Sequence, residues 1–172
     1  LACQQSSEDI AVYISGKGGY HTYRIPALLV TPGGTILAFC EGRKKEQGDS
    51  GDIDLLVKRS TDNGSTWSPY QVIWDDSANV CGNPCPVIDR NSGTIFLLMT
   101  WNRGDDPEHE IVNGTSDDTR RVFISYSRDD GLSWSKPRQI TETTKNPQWS
   151  WYATGPGVGI QLRQGEYAGR LL

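Results

Sequence analysis

An eight-residue segment that occurs twice constrains this chain more than anything else in it. Ser60-Thr61-Asp62-Asn63-Gly64-Ser65-Thr66-Trp67 returns 67 residues later as Ser127-Arg128-Asp129-Asp130-Gly131-Leu132-Ser133-Trp134. Asp and Asn side chains bond backbone N–H groups inside a turn, and Gly supplies the positive φ of a tight reversal. The Trp offers a large apolar face to a neighbouring sheet. Asp62, Trp67, Asp129 and Trp134 are therefore assigned to fold rather than to chemistry. Strand-like runs lead into each turn (residues 53–58 and 122–126), and shorter ones follow (70–74 and 138–141). Gly34-Thr35-Ile36-Leu37 is matched by Gly93-Thr94-Ile95-Phe96, and Gly169-Arg170-Leu171-Leu172 opens a third copy.

Each copy reads as four short strands: a Pro-led apolar strand (27–31, then 87–89, with 158–162 starting the next), a Gly turn, a second apolar strand, and two strands joined by the Asp-containing turn. Four-strand units repeated at about 60 residues favour a propeller over a sandwich or barrel. No segment sustains apolar residues at i, i+3, i+4 and i+7, so no long amphipathic helix is expected, and no apolar run approaches the roughly 18–20 residues of a membrane span. A formal charge of -4 argues against nucleic acid as a partner, since phosphate binding calls for a basic face. Cys40 lies in an apolar strand and reads as a buried free thiol. Cys81 and Cys85 lack a second Cys or His pair at ligand spacing, so no metal site and no cofactor are assigned.

Those Asp turns resemble the Asp boxes of sialidases, and Tyr23-Arg24-Ile25-Pro26 resembles that family's Arg-Ile-Pro motif. The likeness runs from about Ser15 onward. Phe39-Cys40-Glu41-Gly42-Arg43, Asn83-Pro84-Cys85-Pro86 and Ala153-Thr154-Gly155-Pro156-Gly157 look like segments shared by bacterial and animal sialidases, with bacterial enzymes the nearer match. The resemblance implies an all-β, six-bladed β-propeller with its active site at the end of the axis opposite the Asp boxes. It implies an exo-α-sialidase, a retaining glycosidase that releases terminal sialic acid from sialylated glycans. A trans-sialidase or a non-catalytic sialic-acid-binding propeller are the alternatives.

Sialic acid carries a carboxylate on its anomeric carbon, and guanidinium groups bind a carboxylate through paired hydrogen bonds. The resemblance makes Arg24 one of three arginines that clamp it; an exposed ion pair is the other account of that residue. By spacing from the first box, Asp49 takes the place of the general acid and base, with Asp52 as its rival and Asp54 read as structural. Arg43 is expected near the sugar 4-hydroxyl and the Asp49 carboxylate, and Asn83 near the same hydroxyl. Glu41 is expected to buttress Arg24. Glu108 either reaches the substrate's glycerol tail or is simply an exposed loop carboxylate. The family uses a Tyr nucleophile in place of a second carboxylate.

Six units of this size need about 350 residues or more, so the chain is expected to cover the first two to three blades. Residues 1–14 read as a tail or signal remnant and 15–172 as the N-terminal part of the propeller. The Tyr nucleophile, its Glu base and two clamp arginines are expected elsewhere, on a longer or second chain, leaving this chain inactive by itself. Leu1-Ala2-Cys3 resembles the end of a lipoprotein signal, which suggests an extracytoplasmic protein: secreted, periplasmic or cell-surface.

Overall fold

In the computed structural model of this chain, residues 9–172 are described; the signal-like Leu1-Ala2-Cys3 lies outside them. Eight strands and two short helices follow one another: β1 (Thr22–Val30), β2 (Ile36–Arg43), β3 (Ile53–Ser60), β4 (Gln71–Trp74), β5 (Val80–Ile88), β6 (Ile95–Asn102), α1 (Glu108–Asn113), β7 (Arg121–Ser127), β8 (Arg138–Gln139) and α2 (Thr141–Thr144). The all-β expectation holds. Strands β1 to β4 form one antiparallel unit and β5 to β8 a second, in chain order, and the strand ladders of the two are joined, among the described residues, by one parallel bridge, Ile53 to Val80.

The burial pattern of each strand follows from its place. In β1, Ala27 and Leu29 are buried while Leu28 and Val30 face outward, the period-two alternation of a strand covered on one side. Strand β2 is covered on both faces and reads as a continuous run, IleLeuAlaPheCys. The main core lies between the units: Leu37, Phe39, Leu55 and Val57 from the first meet Cys81, Ile95, Leu97 and Met99 from the second. A smaller cluster of Tyr20, Cys40 and Leu56, joined by Tyr13, Tyr23 and Tyr70, covers the opposite face.

Both inner strands are longer than the sequence indicates. Strand β1 begins at Thr22 and β5 at Val80, whereas the prolines had marked starts near residues 27 and 87. The chain runs through Pro26 and Pro84 because each sits in a register shift, between Arg24 and Ala27 and between Gly82 and Cys85. A bulge leaves the ladder unpaired there, so the missing N–H costs nothing. The residue before each proline, Ile25 (φ 56) and Asn83 (φ 52), adopts the left-handed region. The last strand of each unit is shorter than expected, at Gln71–Trp74 and Arg138–Gln139. The third copy is present as a hairpin, in which Ile160 and Leu172 exchange backbone hydrogen bonds at 2.8 Å.

The two Asp boxes are near copies. Asp62 Oδ1 accepts from the Thr66 N–H at 2.9 Å and the Ser60 hydroxyl at 2.8 Å, and its Oδ2 from the Thr66 hydroxyl at 2.6 Å. Asp129 repeats this with Ser133 and Ser127. The sequence assigned packing to the tryptophans, and Trp134 packs edge-on against Phe39 of the first unit at 5.7 Å between ring centroids. Trp67 instead closes its own turn, donating from Nε1 to the Gly64 carbonyl. Asp130 adds a link the sequence did not suggest: Oδ2 accepts from the Thr35 hydroxyl and from Arg59 Nη2, joining the second box to the first unit.

Candidate active site

Strand register places the site. Ile36 pairs with Ser60 at the box end of β2 and β3, and Arg43 pairs with Ile53 at the other. Seven residues of rise, roughly 23 Å, separate the two ends. At the end away from the boxes a cavity of about 190 Å³ opens, lined by Arg24, Glu41, Arg43, Asp49, Asn83 and Glu108 with Arg120 and Trp151 among its walls. All six binding or supporting residues named from the sequence meet here.

Arg43 is the hub. Its side chain is 2% exposed. Nε and Nη2 donate to Glu41 Oε2 at 3.1 and 2.6 Å, and Nη2 also to Asp49 Oδ1 at 2.6 Å. Nη1 donates to the carbonyls of Gln47 and Gly48, which fixes the loop carrying Asp49. A planar guanidinium with five donors can join a buried carboxylate, a loop and an exposed carboxylate at once; an ammonium cannot. Arg24 lies at the mouth, donating to the Gln47 carbonyl at 3.0 Å and to Asp49 Oδ1 at 3.3 Å. Asp49 Oδ2 accepts no hydrogen bond from the described residues, and the side chain is 46% exposed.

Glu41 stands opposite Arg24 in the β1–β2 register, as a buttress would, but its carboxylate bonds Arg43 instead. Its second oxygen, Oε1, accepts from the Asn83 backbone N–H at 2.9 Å. This carboxylate fits only because the neighbouring residue on β5 is Gly82, where a Cβ would stand 2.3 Å from Oε1. Asn83 is largely committed to its neighbours. Oδ1 accepts from the Thr100 hydroxyl at 2.9 Å and from Arg120 Nη2, and Nδ2 donates to the Gly155 carbonyl at 3.1 Å. One N–H of Nδ2 is left for a ligand.

The rivals of Asp49 sit elsewhere. Lys44 Nζ lies 3.0 Å from Asp52, 3.2 Å from Asp54 and 3.6 Å from Asp75. The three carboxylates are close enough to share a cation, and the Lys44 ammonium is that cation. Burial works to lower its pKa, but the bonds from Asp52 and Asp54 prevail and raise it. Asp54 also takes the Tyr20 hydroxyl at 2.6 Å and is buried, as its structural assignment required.

Among the charged, polar and aromatic residues of the cavity, two were not found from the sequence, Arg120 and Trp151. The Arg120 guanidinium carbon stands 3.9 Å from the centre of the Trp151 ring, a cation–π contact. Lys145 fastens this pair: its ammonium donates to the Thr119 hydroxyl and to the carbonyls of Arg120 and Ser150 at 2.7–2.8 Å. Burial, with the Arg120 charge nearby, holds the Lys145 pKa below the ordinary lysine value. No sequence signal separated Arg120 from the adjacent Arg121, since β7 begins only at Arg121.

Residues 34–171 match the BNR repeat-like domain family. An exo-alpha-sialidase of Aspergillus fumigatus is 39% identical over 86% of this chain and 40% of its own length. A sialidase of Micromonospora viridifaciens is 35% identical, over 97% and 26% respectively. The chain belongs to the BNR-repeat sialidase family. Human Sialidase-3 is 38% identical over 84% of the chain and 35% of its own length. The fungal relative exceeds the Micromonospora one in identity, where the motifs had pointed to bacterial enzymes. A Hadza microbial sialidase superposes with a TM-score of 0.77 at 31% identity, over 87% of this chain and 32% of that one. A leech intramolecular trans-sialidase, 18% identical with a TM-score of 0.72, shares the fold. The chain spans about a quarter to two-fifths of the length of these curated relatives. Among its described residues no helix is long and apolar enough to cross a membrane.

Proposed function

We propose that the chain forms the first blades of a six-bladed exo-α-sialidase propeller and supplies the acid/base half of its active site. The observation that carries this is the meeting of Arg24, Arg43 and Asp49 at one cavity, with a buried carboxylate, Glu41, holding the middle one. Asp49 is read as the group that protonates the leaving glycosidic oxygen and later activates water. Its free oxygen and partial exposure suit that exchange. Arg24, half-exposed at the mouth, suits a ligand carboxylate better than a structural pair does, since its contact with Asp49 is long and solvated. Glu108 stands on the cavity wall at the start of α1, where a polyhydroxyl tail would meet it. A neutral Tyr nucleophile, a Glu base and two further clamp arginines would come from the remaining blades. Leu28 and Val30 of β1, with Val158 and Ile160 of the third-copy hairpin, form an exposed apolar face, which those blades would cover. An extracytoplasmic location fits the same reading.

Asp49→Ala in the intact protein tests it on two substrates. Loss of about 10²- to 10⁴-fold is expected on a natural sialoside, the usual contribution of a positioned acid. Much of the rate should survive on an aryl sialoside whose leaving group needs little protonation. Equal retention on both sinks the assignment.

A further inference from the structure

Arg120 is 3% exposed, yet its hydrogen bonds go to uncharged oxygens: Nη1 to Asn102 Oδ1 at 2.8 Å, Nη2 to Thr100 Oγ1 at 2.9 Å and to Asn83 Oδ1. Burial pushes its pKa down to about 10, so keeping the charge there opposes its solvation. Filling the space with an apolar side chain would spare that cost. What a guanidinium alone supplies is a rigid set of directed donors. Two of them converge on one feature. Nη2 donates to the Asn83 amide oxygen and to the Thr100 hydroxyl, and that hydroxyl donates to the same Asn83 oxygen. Trp151 on its face and Lys145 on its carbonyl keep the side chain in place.

Asn83 is in turn the residue whose left-handed backbone aims an N–H at Glu41 Oε1. The other Glu41 oxygen holds Arg43, and Arg43 holds Asp49. We infer that Arg120 is a positioning residue for Asp49, acting across the two sheet units through Asn83, Glu41 and Arg43. The inference rests on the reading of Asp49 as proton donor.

The test is a double-mutant cycle in the intact protein with Arg120→Met, Asp49→Ala and the pair, each assayed on a natural sialoside and on an aryl sialoside with a good leaving group. A misplaced acid should lower kcat on the natural sialoside by about 10- to 100-fold, with a much smaller loss on the aryl substrate and little change in KM. Once Asp49 is gone the Arg120 substitution should cost almost nothing further, because coupled residues are non-additive. Equal losses on both substrates that persist in the Asp49→Ala background, or a rise in KM alone, overturn the inference. If Arg120→Met does not fold, Thr100→Val removes one arm of the same junction and must show the same leaving-group signature in weaker form; its absence overturns the inference equally. If Asp49→Ala itself affects both substrates alike, the proton-donor reading has failed, and the inference falls with it.

Discussion

Replacing Arg43 by Met isolates what the buried hub contributes. Arg43 and Glu41 are both almost fully buried and share two hydrogen bonds at 3.1 and 2.6 Å. Removing the guanidinium strands the Glu41 carboxylate with only the Asn83 N–H as partner. Breaking a buried pair from one side costs about 3–5 kcal/mol, a third or more of the total stability of many domains. The Gln47 and Gly48 carbonyls also lose their donor, but that loop is open to water and adds little. Glu41→Gln in the same background removes the stranded charge while keeping an acceptor for Asn83, so the double variant should recover about 2 kcal/mol or more of that loss. Urea titrations followed by tryptophan fluorescence give both numbers, provided the slopes agree. The reasoning is refuted if Arg43→Met lies within about 1 kcal/mol of the parent, or if the double variant is as unstable as the two singles summed.

Three further outcomes are expected. Gly82→Ala puts a Cβ 2.3 Å from Glu41 Oε1, so it should cost about 1–3 kcal/mol by overpacking and lower turnover by displacing Arg43; unchanged unfolding and activity would contradict the close approach. Bonds from the Thr66 and Ser133 hydroxyls hold Asp62 and Asp129 at about 2, against an ordinary 3.8. Their contribution is full above about pH 4 and is lost as pH falls through about 2, so Asp62→Asn with Asp129→Asn should flatten stability against pH in that window, and an unchanged slope would argue against it. Asp130 combines a φ of 61 with bonds to Thr35 and Arg59. Asp130→Ala should therefore be less stable than Asp130→Asn, because Asn tolerates the left-handed region and Ala does not, by about 1 kcal/mol; equal unfolding midpoints would remove the backbone part of that account.

Arg24, Arg43 and Asp49 were legible because each sits at a fixed distance from a recognisable turn, and the turn itself is a local structure. Their partners were less so. Glu41 does stand opposite Arg24 across the β1–β2 ladder, but Arg43, two residues along the same strand and on the same face, takes its carboxylate. Pro26 misled over where β1 begins, since a bulge that spares the missing N–H is invisible without the partner strand, and Pro86 over β5, because its backbone edge faces the third-copy hairpin rather than β6. Arg120 carried no distinguishing signal. It is the first of two adjacent arginines before an apolar strand, and only the packing of Trp151 and the facing β5 bulge decides which of them turns inward.

The sequence by itself therefore determined the repeat, the turn chemistry of Asp62 and Asp129, and the kinds of side chain that reach the site. Those depend on contacts within a few residues. Only the tertiary structure decided that the two units present one cavity and that Glu41 serves Arg43. It also decided that Asp52 and Asp54 spend their charge on Lys44, and that Arg120 is drawn into the wall. Each of these rests on contacts between distant parts of the chain, where burial removes water as the alternative partner and makes the remaining partner decisive.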